Sequence, residues 1–236
     1  MLKNEMLLVC SLLISYGCVL VFFKLFKEVG LYFWTIIATI AANIEVLILI
    51  RAFGLEQTLG NVLFASTFLV TDILSELYGK KEARRSVYAG IAASLAFIVL
   101  SQLWLMYTPS ADDQIMPAMR AVFSNTPRMM IAGILVYAVV QFFDVFLYHR
   151  WWQFTERKTG NKRRFLWLRN NGSTLVSQLL NAVLFTFAAF GGTYDAATLL
   201  SIIVSSYAVF IATSLADTPF VYAARRLAEK ESRKKL

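Results

Sequence analysis

The chain has 236 residues, 58% of them hydrophobic and 16% charged, with a mean hydropathy of +0.60. Soluble domains run at roughly 45–50% apolar and about 25% charged, so this composition leaves too few polar side chains to cover a water-soluble globule. A soluble enzyme, a disordered chain and a disulfide-stapled secreted module are excluded, and a membrane protein is what remains.

Seven apolar stretches follow one another at residues 6–23, 31–50, 59–77, 88–107, 128–148, 174–191 and 198–221. Each is near the roughly 20 residues that carry a helix across about 30 Å of hydrocarbon. A helix is the default spanning form because it satisfies its own backbone hydrogen bonds. Lys3 precedes the first stretch, but only Lys24-Leu25-Phe26-Lys27 follows it, with no small-residue cleavage site. It therefore reads as a retained helix and not as a signal peptide. Cys10 and Cys18 stand about 12 Å apart along that helix, too far to bridge, and two cysteines alone offer no zinc site. The segment from Thr108 to Pro127 carries Pro109, Pro117, Asp112 and Asp113 and reads as an external loop with room for a short interfacial helix. No GxxxxGKS or GxxxxGKT loop occurs, so the chain itself does not hydrolyse nucleoside triphosphate.

The basic residues fall on alternate connections. Lys24 and Lys27 follow the first stretch, and Lys80, Lys81, Arg84 and Arg85 follow the third. Arg150, Arg157, Lys158, Lys162, Arg163, Arg164 and Arg169 follow the fifth. The tail, 223–236, adds Arg225, Arg226, Lys230, Arg233, Lys234 and Lys235. Lys3, Arg51, Arg120 and Arg128 fall on the other side. The positive-inside rule then places the N-terminus outside and the C-terminus in the cytoplasm of a multi-pass inner (plasma) membrane protein. The net charge of +8 thus serves orientation and contact with anionic lipid, and no nucleic-acid partner is expected. Trp151, Trp152 and Trp167 read as interfacial anchors, and His149, beside Arg150, as an interfacial residue.

Polar groups inside hydrocarbon are costly and mark function by default. The second stretch holds Asn43 and Glu45, the third Thr71, Asp72 and Glu76, the fourth Gln102, and the fifth Gln141 and Asp144. The sixth holds Thr174, Ser177, Gln178 and Asn181, and the seventh Asp217. Asp72 and Glu76, four apart, share a helical face. Thr174, Gln178 and Asn181 form a stripe on the sixth helix, and a cluster drawn from several helices is what a substrate cavity requires. Polar side chains also tie membrane helices together. Gln102, Gln141 and the serines suit that role, Glu76 can answer Lys80 or Arg84, and Asp217, close to Pro219 and Arg225, reads as a helix-end residue. Asp72 and Asp144 lie deeper and read as functional.

Two stretches are more specific. Thr71-Asp72-Ile73-Leu74-Ser75-Glu76-Leu77-Tyr78-Gly79, followed by Ala83-Arg84, closely resembles the signature of the queuosine-precursor transporter family, grouped under the vitamin uptake transporters (VUT). Arg169-Asn170-Asn171-Gly172-Ser173-Thr174-Leu175-Val176-Ser177-Gln178 resembles the start of that family's penultimate helix. Gln141-Phe142-Phe143-Asp144-Val145 and Ala42-Asn43 match two further elements, and the resemblance runs from about residue 31 to 222. It implies an all-α, polytopic membrane helix bundle with a six-helix family core and one extra N-terminal transmembrane helix (6–23). The function implied is import of 7-deazaguanine precursors of queuosine, either cyano- or aminomethyl-deazaguanine or queuine, for tRNA modification. A separate energising module or a homo-oligomer is a further partner that the resemblance admits, and no cofactor is implied. The chain departs from the family pattern at Asn181, where Asp is common. It also differs at Leu47, Ile48 and Leu49, where a basic residue often stands, and at Ser75, where Asn is frequent.

A deazaguanine presents an N1–H and an NH2 that one carboxylate accepts together, and a carbonyl that an amide donates to. Asp72 and Asp144 are the candidate acceptors, Asn43, Gln178 and Asn181 the amides, and Phe68 a stacking face. Glu76, Thr71, Gln141 and Glu45 complete the candidate set. The alternative, a membrane-embedded enzyme acting on a lipid or isoprenoid, would need a nucleophile–base pair or a metal-binding acidic motif. Asp112-Asp113 has no basic partner set, and His149 is the single histidine.

Overall fold

In a computed structural model, which describes residues 2–124, 127–160 and 165–234, six helices are long and apolar enough to cross a membrane. They are α1 (Leu2–Glu45), α2 (Gly60–Leu77), α3 (Lys80–Leu105), α5 (Pro127–Thr159), α6 (Leu166–Phe190) and α7 (Ala196–Lys234). A short α4 (Met116–Phe123) lies in the Thr108–Pro127 segment, and two strands, β1 (Leu49–Ala52) and β2 (Leu55–Thr58), separate α1 from α2. The chain is an all-α polytopic membrane bundle.

The first two apolar stretches form one helix broken at Lys27, whose backbone (φ 58°, ψ −135°) is not helical. The Phe22 and Trp34 rings stand 5.8 Å apart and those of Phe26 and Phe33 6.0 Å, whereas twelve residues of straight helix would span about 18 Å. The chain therefore reverses, giving a first arm (2–26) and a second arm (28–45). Gly30 sits at the crossing, where a Cβ would come within 2.6 Å of the Phe22 carbonyl carbon. The six helices thus make seven passes.

Several boundaries differ from the apolar runs. The second run does not stay helical to residue 50: α1 ends at Glu45 and the chain enters the β1–β2 hairpin, with Leu49 opposite Thr58 and Ala52 opposite Leu55. Ile50 and Thr58 are β-branched and favour strand, and Phe53-Gly54, both at positive φ, supply the tight turn. The hairpin is tied to the start of α1, where Asn4 Nδ2 donates to the Arg51 carbonyl (3.0 Å) and the Phe53 N–H donates to the Glu5 carboxylate (3.0 Å). Helix α5 continues to Thr159 and α6 begins at Leu166, so Arg150, Arg157 and Lys158 ride on a helix. Helix α7 runs through Pro219 instead of stopping near it. Of the basic residues counted above, Lys162, Arg163, Arg164 and Lys235 lie outside the described residues, as do the side chains of Arg128 and Lys234.

Helix α2 runs through the middle of the bundle, buried at every residue from Ala65 to Ser75 and packed on α1, α3, α5 and α7. Tyr16, Leu31, Leu69, Ile73, Tyr148 and Val221 form the main core around it. Outward-facing Leu13, Ile14, Val99, Leu135, Val139 and Val204 give the apolar exterior that hydrocarbon requires. The hairpin, α4 and the start of α1 gather at one end, here the hairpin end. The Lys27 bend, the start of α3, the end of α5 and the end of α7 gather at the other, the basic end, joined by Tyr32 donating to Glu82 (2.6 Å) and by Arg225 paired with Glu76 (3.5 Å).

Candidate functional site

At the hairpin end a cleft of about 610 Å³, its open mouth included, lies between the second arm of α1, α2, α3, α5 and α6. Asn43, Asn61, Ser94, Tyr137 and Asn181 supply its polar lining and Phe64 and Phe185 its aromatic lining, and no charged side chain is among the lining residues. Asn43 Nδ2 donates to the Thr39 carbonyl (2.8 Å) and to Ser94 Oγ (3.1 Å), which holds the amide in place and leaves its oxygen as acceptor. The Tyr137 hydroxyl is buried without a hydrogen-bond partner among the described residues. Gly90 admits it, because a Cβ there would come within 2.9 Å of the ring carbon bearing that hydroxyl. Spacing gave no reason to single out Tyr137, an aromatic in an apolar run, and only the cavity shows it. Glu45, half-buried, ends the second arm and is not among the lining residues.

One layer deeper, Gln141 bridges α2 and α5 with both ends of its amide. Its Nε2 donates to Thr67 Oγ1 (2.6 Å), and its Oε1 accepts from Thr71 Oγ1 (3.2 Å). Phe68 is enclosed by Val136 and Val140, with Phe64 edge-on at 5.5 Å. Gln178 is buried, its oxygen unpartnered.

The carboxylates come next. From Phe64 to Asp72, Tyr137 to Asp144 and Asn181 to Thr174 the helices descend about 10–12 Å. Asp72 is fully buried; one oxygen accepts from Thr174 Oγ1 (3.2 Å) and the other has no partner. Asp144, also fully buried, sits beside Ser173 and Ser177, with neither oxygen in a closed hydrogen bond. Asp217 is 1% exposed and accepts from Asn170 Nδ2 (2.6 Å). This corrects the helix-end reading: α7 continues past Pro219, so Asp217 lies in the interior at the level of Asp72. Asn43 and Asn181 therefore share the cleft, while Asp72, Asp144 and Gln178 lie beneath it.

At the basic end Glu76 takes neither Lys80 nor Arg84. It accepts from Arg169 Nε (3.0 Å) and Nη2 (2.5 Å) and from the Tyr148 hydroxyl (3.0 Å), with Arg225 at 3.5 Å. Arg169 is no loop cation, for its side chain is fully buried, with Trp152 face-on at 4.3 Å. Trp152 also stacks on His149 at 5.9 Å, so both half-buried residues take part in this packing. Trp167 is 52% exposed, in keeping with an anchor. The start of α6 thereby ties down three helices. Arg169 and Thr174 reach α2, Gly172 admits the Trp151 indole of α5, and Asn171 Nδ2 donates to Thr218 Oγ1 (2.7 Å) of α7. Among the described residues no group of three His, Cys, Asp or Glu is placed to hold a metal ion.

The family described as "Putative vitamin uptake transporter" matches residues 58–224. The chain is 37% identical over 221 residues, 94% of each chain, to a protein of Bacillus subtilis (strain 168) named "Probable queuosine precursor transporter". It is 29% identical over 157 residues, 66% of this chain and 65% of the relative, to the "Queuosine precursor transporter" of Escherichia coli (strain K12). No solved structure matches it.

Proposed function

The chain belongs to the vitamin uptake transporter family, transporters and not enzymes, and from that premise we propose that it imports 7-deazaguanine precursors of queuosine across the inner membrane. The substrate class comes from the names of the two relatives. The direction comes from the charge distribution, which favours a cytoplasmic basic end and an external hairpin end.

The observation that carries the reading is the uncharged, amide- and aromatic-lined cleft standing above buried carboxylates. The base enters from the hairpin end and lies against Phe64 and Phe185. Asn43 and Asn181 pair with its polar edge, and Tyr137 supplies a hydroxyl. From there the base passes along Gln178 of α6 to a second position, about 10–12 Å deeper, where Asp72 and Asp144 accept its N1–H and NH2 donors. Thr71, Gln141 and Phe68 shape the wall between the two levels, and Glu45 stands near the mouth. Glu76, with Arg169, seals the basic end until the base is released there. A site reached from one side while the other is closed is what alternating access requires.

The test is uptake of labelled 7-cyano-7-deazaguanine into cells that lack both its synthesis and its import. Cells carrying this protein take up the label; absence of uptake with normal membrane insertion contradicts the proposal.

A further inference from the structure

Asp72, Asp144 and Asp217 come from three helices and meet on one rail, the first turns of α6. Thr174 holds Asp72, Ser173 and Ser177 flank Asp144, and Asn170 holds Asp217. Residues 170–177 rise only about 11 Å, so the three carboxyls occupy one compact, buried layer. Among the described residues none of the three is in an ion pair. The titratable and charged groups facing them are Tyr16 of the first arm, Glu76 of α2, Tyr148 of α5, Arg169 of α6 and Arg225 of α7. Both arginines are drawn to Glu76, which leaves the three aspartates without a counter-charge.

The unpartnered buried atoms in this layer are all oxygens: Asp72 Oδ1, both oxygens of Asp144, Asn170 Oδ1, Ser177 Oγ and Gln178 Oε1. Of these only the Ser177 hydroxyl can also donate, so acceptors outnumber donors in the layer, and uncompensated carboxylates are strongly disfavoured in hydrocarbon. Among the described residues no three His, Cys, Asp or Glu are placed together to hold a metal ion. A proton supplies both the charge and the donor. On the transport reading above, we propose that this carboxyl layer, with Asp217 as the residue outside the substrate contacts, is a proton-binding site that couples uptake to the proton gradient. A carboxylate takes one proton from the outer side to become a neutral acid, and its O–H donates to a neighbouring orphan oxygen. Opening toward the basic end returns the proton to the cytoplasm and restores the carboxylate, with no change of redox state.

The experiment uses the purified full chain in liposomes. With labelled 7-cyano-7-deazaguanine and acid outside, the wild type accumulates label up to about tenfold per pH unit for one proton, and an uncoupler abolishes the accumulation. Asp217→Asn still exchanges label at equal pH but does not accumulate it. Accumulation by the wild type that ignores the pH difference overturns proton coupling while leaving transport intact. If no label enters the wild type, the infrared spectrum of the substrate-free protein still decides. A carboxylic-acid C=O band at neutral pH that shrinks in Asp217→Asn and in Asp144→Asn supports the site, and absence of that band overturns it.

Discussion

The hairpin-end half and the basic-end half of the bundle are built from the same helices in opposite ways. The first keeps a cleft open and lines it with amides, hydroxyls and aromatic rings, with no charge among the lining residues. The second closes the helices with a buried ion pair, Arg169 on Glu76, braced by Tyr148 and Trp152. On the proposed reading, the difference follows from what each end must do. A neutral planar base is desolvated at little cost by amides and rings, whereas a seal must be strong when closed and separable in one step. A few charge-assisted hydrogen bonds meet that requirement better than broad apolar packing.

Breaking the seal on one side has the largest expected effect. Glu76→Gln leaves Arg169 buried without its carboxylate, and removing one partner of a buried pair costs about 3–5 kcal/mol. Thermal unfolding in detergent shows a large drop, and adding Arg169→Gln recovers part of it; an unchanged melting temperature removes the ion pair from the account. Next comes Asp72→Asn, which places an NH2 opposite the donor edge of the base. A mispaired buried group costs about 1–3 kcal/mol, roughly 5- to 150-fold in affinity. The variant inserts normally and scarcely transports, as uptake per membrane protein level shows; wild-type uptake means that the carboxylate is not a required ligand. Tyr137→Phe removes only a hydroxyl in the cleft, worth about 1 kcal/mol, and raises the half-saturating concentration several-fold with the maximal rate kept. Smallest are Gln102→Leu, which loses one bond to the Phe123 carbonyl, and Arg157→Gln with Lys158→Gln; uptake in each stays near wild type.

How much of this was legible in the sequence depended on whether the relevant signal was local. Seven apolar runs gave seven passes, since hydropathy is a property of each run alone. Asp72 and Asp144 stood out because a carboxylate in an apolar run is conspicuous wherever it folds. Arg169 was not legible: its burial depends on Glu76, 93 residues earlier, and beside a basic connection a lone arginine looks like a topology signal. Asp217 was hidden by Pro219. A proline removes one backbone bond and normally argues for a helix end, but membrane helices tolerate it and α7 continues for fifteen residues. The hairpin was masked by the hydrophobicity of its approach, because a short apolar run such as residues 46–50 extends a helix or forms a strand with equal ease until its turn is seen.

The account rests most heavily on the base seating in the cleft while the basic end stays closed. A cysteine at Asn61, a lining residue of the cleft, in a chain with Cys10 and Cys18 replaced by Ser, tests this directly. An impermeant thiol reagent added outside cells labels Asn61→Cys, 7-cyano-7-deazaguanine protects it, and Ser75→Cys, buried near the basic end, stays unlabelled. Labelling of Asn61→Cys that the base leaves unchanged, or labelling of Ser75→Cys from outside, would contradict the account.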